Sequence, residues 1–388
     1  MFRPLRITSF RPVTTLAVAA VLAFAPPPPL RAQRAPARPH TGLAEAPGYG
    51  RWAEAVDSAR EILHAHMDRL GIPGASVAVA VKGHVVWTEG FGFADVENQV
   101  AVRPRTKFRI ASISKAVTSA AVGLLYQQGR LDLDAPVQRY VPSFPVKQKG
   151  TVTTRLLAGH LAGVRHYRDR EFESSIHYDD VVDALSIFEN DSLQSAPGEE
   201  YSYSTYGWNL ISAVIQGASG EKYLRYMRGH VLDPLGLRET VAEYEDSIIV
   251  GRGRQYRRSG DGRLVNAPHV DNSNKWAGGG YLSTASDLVR YGSSYLDGGL
   301  LEPETVKLMW TSQRTTGGEE TGYGIGWFVG TVEGRREVWH TGGAVGGSTI
   351  LLIRPDDEVV VAILTNLESA RPTGPAREIA GLFSAARP

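Results

Sequence analysis

The stretches able to form β-strands lie towards the two ends of this 388-residue chain, and helix-forming stretches fill most of the space between them. Residues 75–81 and 84–93 are rich in valine, alanine and aromatic residues, and Lys82-Gly83 between them reads as a hairpin turn. Strand-like runs return at 323–329, 337–341, 348–354 and 358–365, the last pair joined by the turn sequence Pro355-Asp356-Asp357. Helical spacing of apolar residues marks 51–70, stopped by Gly71 and Pro73, and a closing helix at 375–385. Between these ends, helices are predicted at 113–128, 154–161, 179–188, 206–218, 221–231, 286–296 and 303–310, with a polar hairpin around Gly260-Asp261-Gly262. Such an order predicts an α+β fold: one antiparallel sheet assembled from distant segments, flanked by helices, with a helical insertion over about residues 112–250. The stretch 113–128 is apolar almost all round, which places it in the middle of a domain.

Composition narrows the classes further. Hydrophobic residues make up 42% and charged residues 21%, enough for a substantial core. There is no cysteine, which excludes a disulfide scaffold, a thiol nucleophile and a thiolate metal site. The formal charge of +1 includes Arg3, Arg6, Arg11 and Arg31 within residues 1–32, a segment with no acidic residue. The rest of the chain carries 38 basic against 41 acidic residues, a balance that gives no reason to expect a nucleic-acid partner. Those arginines precede an apolar run from Leu16 to Ala25, too short to span a bilayer. Residues 1–32 therefore read as a signal peptide cleaved after Ala32, giving a secreted or periplasmic protein with no transmembrane span once it is removed. An organelle presequence is the alternative. Residues 33–50 read as an Ala/Pro-rich linker ahead of a domain at 51–388.

Three short motifs carry chemistry. Ser112-Ile113-Ser114-Lys115 stands at the predicted start of the buried helix. There a serine hydroxyl meets the positive end of the helix dipole, and Lys115 lies one turn later on the same face. Burial and the dipole disfavour the ammonium, so the amine can serve as a base. Ser112 as an N-cap with a solvated Lys115 is the bland alternative. Tyr203-Ser204-Thr205 precedes the helix at 206–218, and Tyr203 could relay a proton if a nearby positive charge lowered its pKa, with Tyr201 and Tyr206 as competitors. His340-Thr341-Gly342-Gly343 ends a strand, where glycines admit a substrate backbone and a free N–H could complete an oxyanion hole.

In this order the three motifs resemble the serine β-lactamase and penicillin-binding-protein superfamily, in its class C-like peptidase and esterase branch, whose nucleophile, Y-x-N and K-T-G motifs follow the same sequence. Longer segments are similar too: FRIASISK at 108–115, LLAGHLAG at 156–163, VDNSNKWAGGGYLST at 270–284 and HTGGAVGG at 340–347 look like the β-lactamase-like proteins of animal mitochondria. The resemblance runs from about Ile72 to Asn366 and implies a β-lactamase/transpeptidase-like fold. It implies Ser112 as the acylated nucleophile, Lys115 as its base and Tyr203 as the proton relay. The N–H groups of Ser112 and Gly343 would form the oxyanion hole, and Thr205, His340, Thr341 and Gly342 would line the substrate. His340 stands in place of lysine and Thr205 in place of asparagine. A weaker carboxylate partner and a lost amide both favour peptide, amide or ester substrates over β-lactams.

Other patterns carry less. His64 and His66, two apart on a helix, do not make a metal pair, and Asp132 and Asp134 lack the glycine and glutamate of a calcium loop. Gly278-Gly279-Gly280 is not followed by a phosphate-loop lysine, and His160 and His166 read as braces of the helical insertion. No metal or cofactor is implied. The expectation is a serine hydrolase acting on a small molecule or peptide, with self-association open. Alternatives are a penicillin-recognising carboxypeptidase or β-lactamase, and a silent scaffold.

Overall fold

The computed structural model describes Leu43–Ala44 and residues 50–386. Residues 1–32, read as a leader, lie outside the described residues. Helix α1 (Ala53–Leu70) leads into strands β1 (Gly74–Val81) and β2 (His84–Asp95). Helices α2 (Ile113–Gln127), α3 (Thr205–Ser219) and α4 (Ala285–Ser293) follow. The chain then returns through β3 (Phe328–Val332), β4 (Arg335–Ala344), β5 (Gly347–Arg354) and β6 (Val359–Thr365) to helix α5 (Thr373–Ala385).

These strands form one antiparallel sheet in the order β2-β1-β6-β5-β4-β3, so the two ends of the chain meet at its centre, with Val81 opposite Val359. Leu43–Ala44, inside the stretch read as a linker, pairs with Gly90 and Glu89 at the β2 edge. Period-two side-chain direction explains why the central strands read as continuous apolar runs. Val77, Val79, Ile350, Leu352, Val361 and Ile363 face a cluster completed by α1 and α5. Ala78, Ala80, Leu351, Ile353, Val360 and Leu364 face the cluster that contains α2, α3 and α4. Both faces are covered, and every residue of β1, β5 and β6 is buried.

Some boundaries differ from the pattern, each for a local reason. The helix expected at 179–188 is only a 3₁₀ segment, Asp183–Ile187, because the Asp180 side chain accepts the Val182 N–H and turns the chain. The helix from 154 stops at Ala158, before His160 with its positive φ of 60°. The one expected at 221–231 is a short turn at Tyr223–Tyr226 that continues as a π-helix, Met227–Leu232. The strand expected from 323 begins at Phe328, since Gly326, at φ 80°, turns tightly against Ser119. A short strand at Tyr281–Ser283, pairing with Phe108–Arg109, had no clear alternation to mark it.

Two contacts set β4 beside the start of α2. Arg109, paired with buried Glu243, donates to the Val345 carbonyl at 2.7 Å. Gly342 packs so tightly under the turn before α2 that a Cβ there would stand 2.4 Å from the Ile110 carbonyl oxygen and 2.3 Å from Thr349 Oγ1. We expect Gly342→Ala to destabilise the fold by about 1–3 kcal/mol through overpacking, read as a lower urea midpoint with an unchanged m-value. An unchanged midpoint would show that β4 and the turn are not in close register.

Candidate active site

Ser112 follows Ala111, a non-glycine residue at φ 49°, and directly precedes α2. A strained turn of this kind holds the hydroxyl in one place. The Ser112 side chain makes no capping bond, so the bland N-cap reading does not hold. Ser114, the rival nucleophile, is fully buried and accepts the Tyr281 N–H at 3.3 Å. The Lys115 amine is completely buried behind Ser112, with Nζ 3.1 Å from Ser112 Oγ, 3.1 Å from Thr205 Oγ1 and 2.6 Å from the Gly278 carbonyl oxygen. No carboxylate lies within ion-pair range of it among the described residues. Burial, aided by the charge of Lys275, holds its pKa well below the ordinary lysine value. A neutral amine fits the three contacts: two N–H bonds donated to Gly278 and Thr205, and a lone pair facing the Ser112 hydroxyl.

Of the three neighbouring tyrosines, Tyr203 is the one beside the Ser112–Lys115 pair, its ring centre 4.8 Å from Lys115 Nζ. Tyr206 instead donates to Glu171 at 2.9 Å, and Tyr201 packs against the His160 ring. The condition set for the Tyr203 relay, a lowered pKa, is not met: burial pushes the phenol up, with Ser112 opposing. Any proton it passes therefore moves through a neutral hydroxyl. Thr205 completes the cluster, its Oγ1 accepting from Lys115 Nζ at 3.1 Å.

His160 and His166 hold this tripeptide from both sides. His160 Nδ1 accepts the Ser204 N–H at 3.0 Å, and His166 Nδ1 accepts the Thr205 N–H at 3.2 Å. The His160 ring also lies 4.2 Å from the Tyr203 ring, centre to centre. They brace the proposed proton relay itself.

His340 departs from expectation. It is 1% exposed, with Nδ1 2.7 Å from the Thr341 carbonyl oxygen and Nε2 2.9 Å from the Tyr323 hydroxyl. A carbonyl only accepts, so Nδ1 carries the proton and Nε2 accepts from Tyr323. Burial, then the Lys115 charge, pushes its pKa down to about 3. A neutral ring with both nitrogens engaged does not hold a substrate carboxylate. Thr341 is partly buried beside it, Gly342 underlies the nucleophile turn, and Gly343 is exposed with open space where a Cβ would stand.

Ser112 and Gly343 open on one cleft of about 260 Å³, walled by Ala111, Tyr167, Phe172, Thr205, Lys275, Gly278 and Gly279. Several of these walls had no role in the sequence reading, and two of them bear directly on the site. Gly278 supplies the carbonyl that anchors Lys115, and a Cβ there would come within 2.5 Å of Thr205 Cγ2. Lys275 is the other. Among the described residues no group of His, Cys, Asp and Glu could hold a metal ion; His66 is engaged by the Ala370 carbonyl and Arg69.

The Beta-lactamase family model matches residues 59–385. The chain belongs to the Beta-lactamase family. Within it, the chain is 35% identical to the human serine beta-lactamase-like protein LACTB, mitochondrial, over 91% of this chain and 84% of the relative. It is 29% identical to protein flp of Staphylococcus aureus, over 77% of this chain and 60% of that one. Among solved structures, the octameric penicillin-binding protein homologue of Pyrococcus abyssi superposes with a TM-score of 0.73 at 26% identity, over 85% of this chain and 77% of that chain. The D-amino acid amidase of Ochrobactrum anthropi reaches 0.75 at 20% identity, over 86% and 100%, and shares the fold. As in other Beta-lactamase family hydrolases, serine acyl-enzyme chemistry is what such a site is equipped to do.

The neutral histidines predict acid sensitivity. Folded values depressed below the ordinary 6.5, to about 4 for His166 and about 3 for His340, mean that the unfolded chain takes up protons which the folded chain refuses. The stability they contribute is complete above pH 6.5 and is lost as pH falls through that range, by up to about 1.4 kcal/mol per pH unit for each ring. Urea unfolding at pH 7.5, 6 and 5 should show this slope, flattened in His340→Gln. An identical slope in the variant would contradict the assignment.

Proposed function

We propose that the protein is a serine hydrolase that forms an acyl-enzyme on Ser112 with peptide, amide or ester substrates. The observation that carries this reading is a fully buried lysine amine, without a carboxylate partner, 3.1 Å from the hydroxyl of a cleft-facing serine. Lys115 takes the Ser112 proton as Oγ attacks the acyl carbon. The N–H groups of Ser112 and Gly343, one at the α2 N-terminus and one on β4, receive the developing oxyanion. Tyr203 relays that proton from Lys115 to the leaving group as the acyl bond breaks, and attack of water on the acyl-enzyme, its proton returned to Ser112 Oγ, then frees the serine.

Thr205 in place of an amide, and a buried neutral His340 in place of an exposed cation, favour this reading over β-lactamase or carboxypeptidase activity. The names of the mammalian relatives place those proteins in mitochondria, which supports the organelle reading of residues 1–32 over export. The octameric Pyrococcus homologue supports self-association in the same way.

Ser112→Ala should abolish labelling by a fluorophosphonate probe, and Ser114→Ala should not. Lys115→Met should slow labelling by about 10³-fold, Tyr203→Phe by a comparable factor, and the double variant by little more than either, because the groups act as a unit. Labelling that survives Ser112→Ala would overturn the choice of nucleophile, and additive losses would exclude a shared relay.

A further inference from the structure

Lys275 precedes the glycines at 278–280 and is 4% exposed, yet it lines the same cleft as Ser112 and Gly343. Its Nζ donates to the Phe172 carbonyl at 2.9 Å and sits 5.3 Å and 5.1 Å from the ring centres of Tyr167 and Phe172. The carboxylates that influence it are committed elsewhere. Glu243 is held by Arg109 and Asn272, and Asp271 by His177 and Ser273. Among the described residues, Lys275 has no carboxylate within ion-pair distance. A buried ammonium without a counter-ion is costly, and a ligand anion is the partner it lacks.

The remaining basic groups around the site are already engaged or neutral. Lys115 is spent on Ser112, Thr205 and Gly278, and Arg109 on Glu243 and the Val345 carbonyl. His340 is neutral and turned into the fold, and the one histidine on the cleft wall, His166, is pushed down to about 4. We infer that Lys275 is the anion-recognition residue of the cleft, holding a carboxylate on an acyl substrate between the Tyr167 and Phe172 rings while Ser112 attacks. It takes over the task that the resemblance assigned to His340. This deepens the hydrolase reading and rests on it for the attack, but the binding step can be tested without turnover.

Burial, with Arg109 adding to it, brings the Lys275 pKa to about 7, partly offset by Glu243 and Asp271. A bound carboxylate should therefore favour the ammonium, and affinity should fall as pH rises through this range. The charged and titratable groups facing it are Lys115, Arg109, Glu243, Asp271, Tyr167 and His166. His166 and Asp271 lie below the range and Tyr167 above it, so the Lys275 variant separates Lys275 from Lys115.

The test compares 3-acetoxybenzoate with its methyl ester, two esters that differ in one negative charge. Lys275→Met should lower the ratio of kcat/KM for the carboxylate to that for the methyl ester by about tenfold or more, and any effect it has through the Lys275 charge on Lys115 falls on both esters alike. Equal losses on both esters would make Lys275 a structural tie to Phe172, and an unchanged ratio would mean that no anion is read there. Either result overturns the inference. Should the variant fail to fold, calorimetric titration of the wild type and of Lys275→Arg with phenylacetate decides. Wild-type affinity should weaken by about tenfold between pH 6 and pH 8.5, while phenylacetamide shows no trend. The arginine keeps its charge where Lys275 loses it while Lys115 is unchanged, so the wild-type trend should vanish in Lys275→Arg. A flat wild-type phenylacetate profile overturns the inference even if Ser112 proves inert, so its failure is distinct from that of the hydrolase reading.

Discussion

The Lys115 amine, buried with only hydroxyl and carbonyl oxygens around it, is the constraint on which the site depends. An ammonium in that position would need a carboxylate to offset its desolvation, and none is within ion-pair range among the described residues. The neutral amine is what the surroundings favour, and a neutral amine has a lone pair to direct at Ser112. The same demand explains why Gly278 must be a glycine with its carbonyl turned inward, and why Thr205 is a hydroxyl packed against it. Burial in the same region keeps the rings of His160, His166 and His340 neutral as well.

The sheet gives this arrangement its precision. Central strands β1, β6 and β5 are buried on both faces, so their register is fixed by two cores at once. β4 extends that register to Gly342 and Gly343, and the Arg109 bond to Val345 ties the strand end to the segment just before Ser112. The proposed nucleophile, its proposed base and the candidate oxyanion donors thus come from the turn into α2, α2 itself and β4, which these contacts hold together. Sites carried on rigid elements keep the sub-ångström geometry that acyl transfer requires.

Much of this was legible in the sequence because it is local. Two-residue alternation and continuous apolar runs marked β1, β2, β5 and β6, and the uniformly apolar stretch after Ser112 marked α2. The one-turn spacing of Ser112 and Lys115 placed both groups on one face. What escaped depends on contacts between distant segments. Nothing near residue 340 tells that Tyr323 will cap its imidazole, and the sequence reading accordingly faced His340 to the substrate. Lys275 was given no role, because the loop carrying Tyr167 and Phe172 lies about a hundred residues away in the chain. The condition on the Tyr203 pKa fails for the same reason: the sequence shows the neighbouring charge, and only packing shows the burial.

The central claim is that Lys115 is an uncharged base at neutral pH, and the pH dependence of fluorophosphonate labelling of Ser112 tests it most directly. The account predicts a rate that reaches its plateau well below the ordinary lysine value of 10.5, with that acid limb absent from the slow residual labelling of Lys115→Met. A rate that keeps climbing through pH 10 in the wild type would show that Lys115 titrates as an ordinary ammonium, and the account would fail.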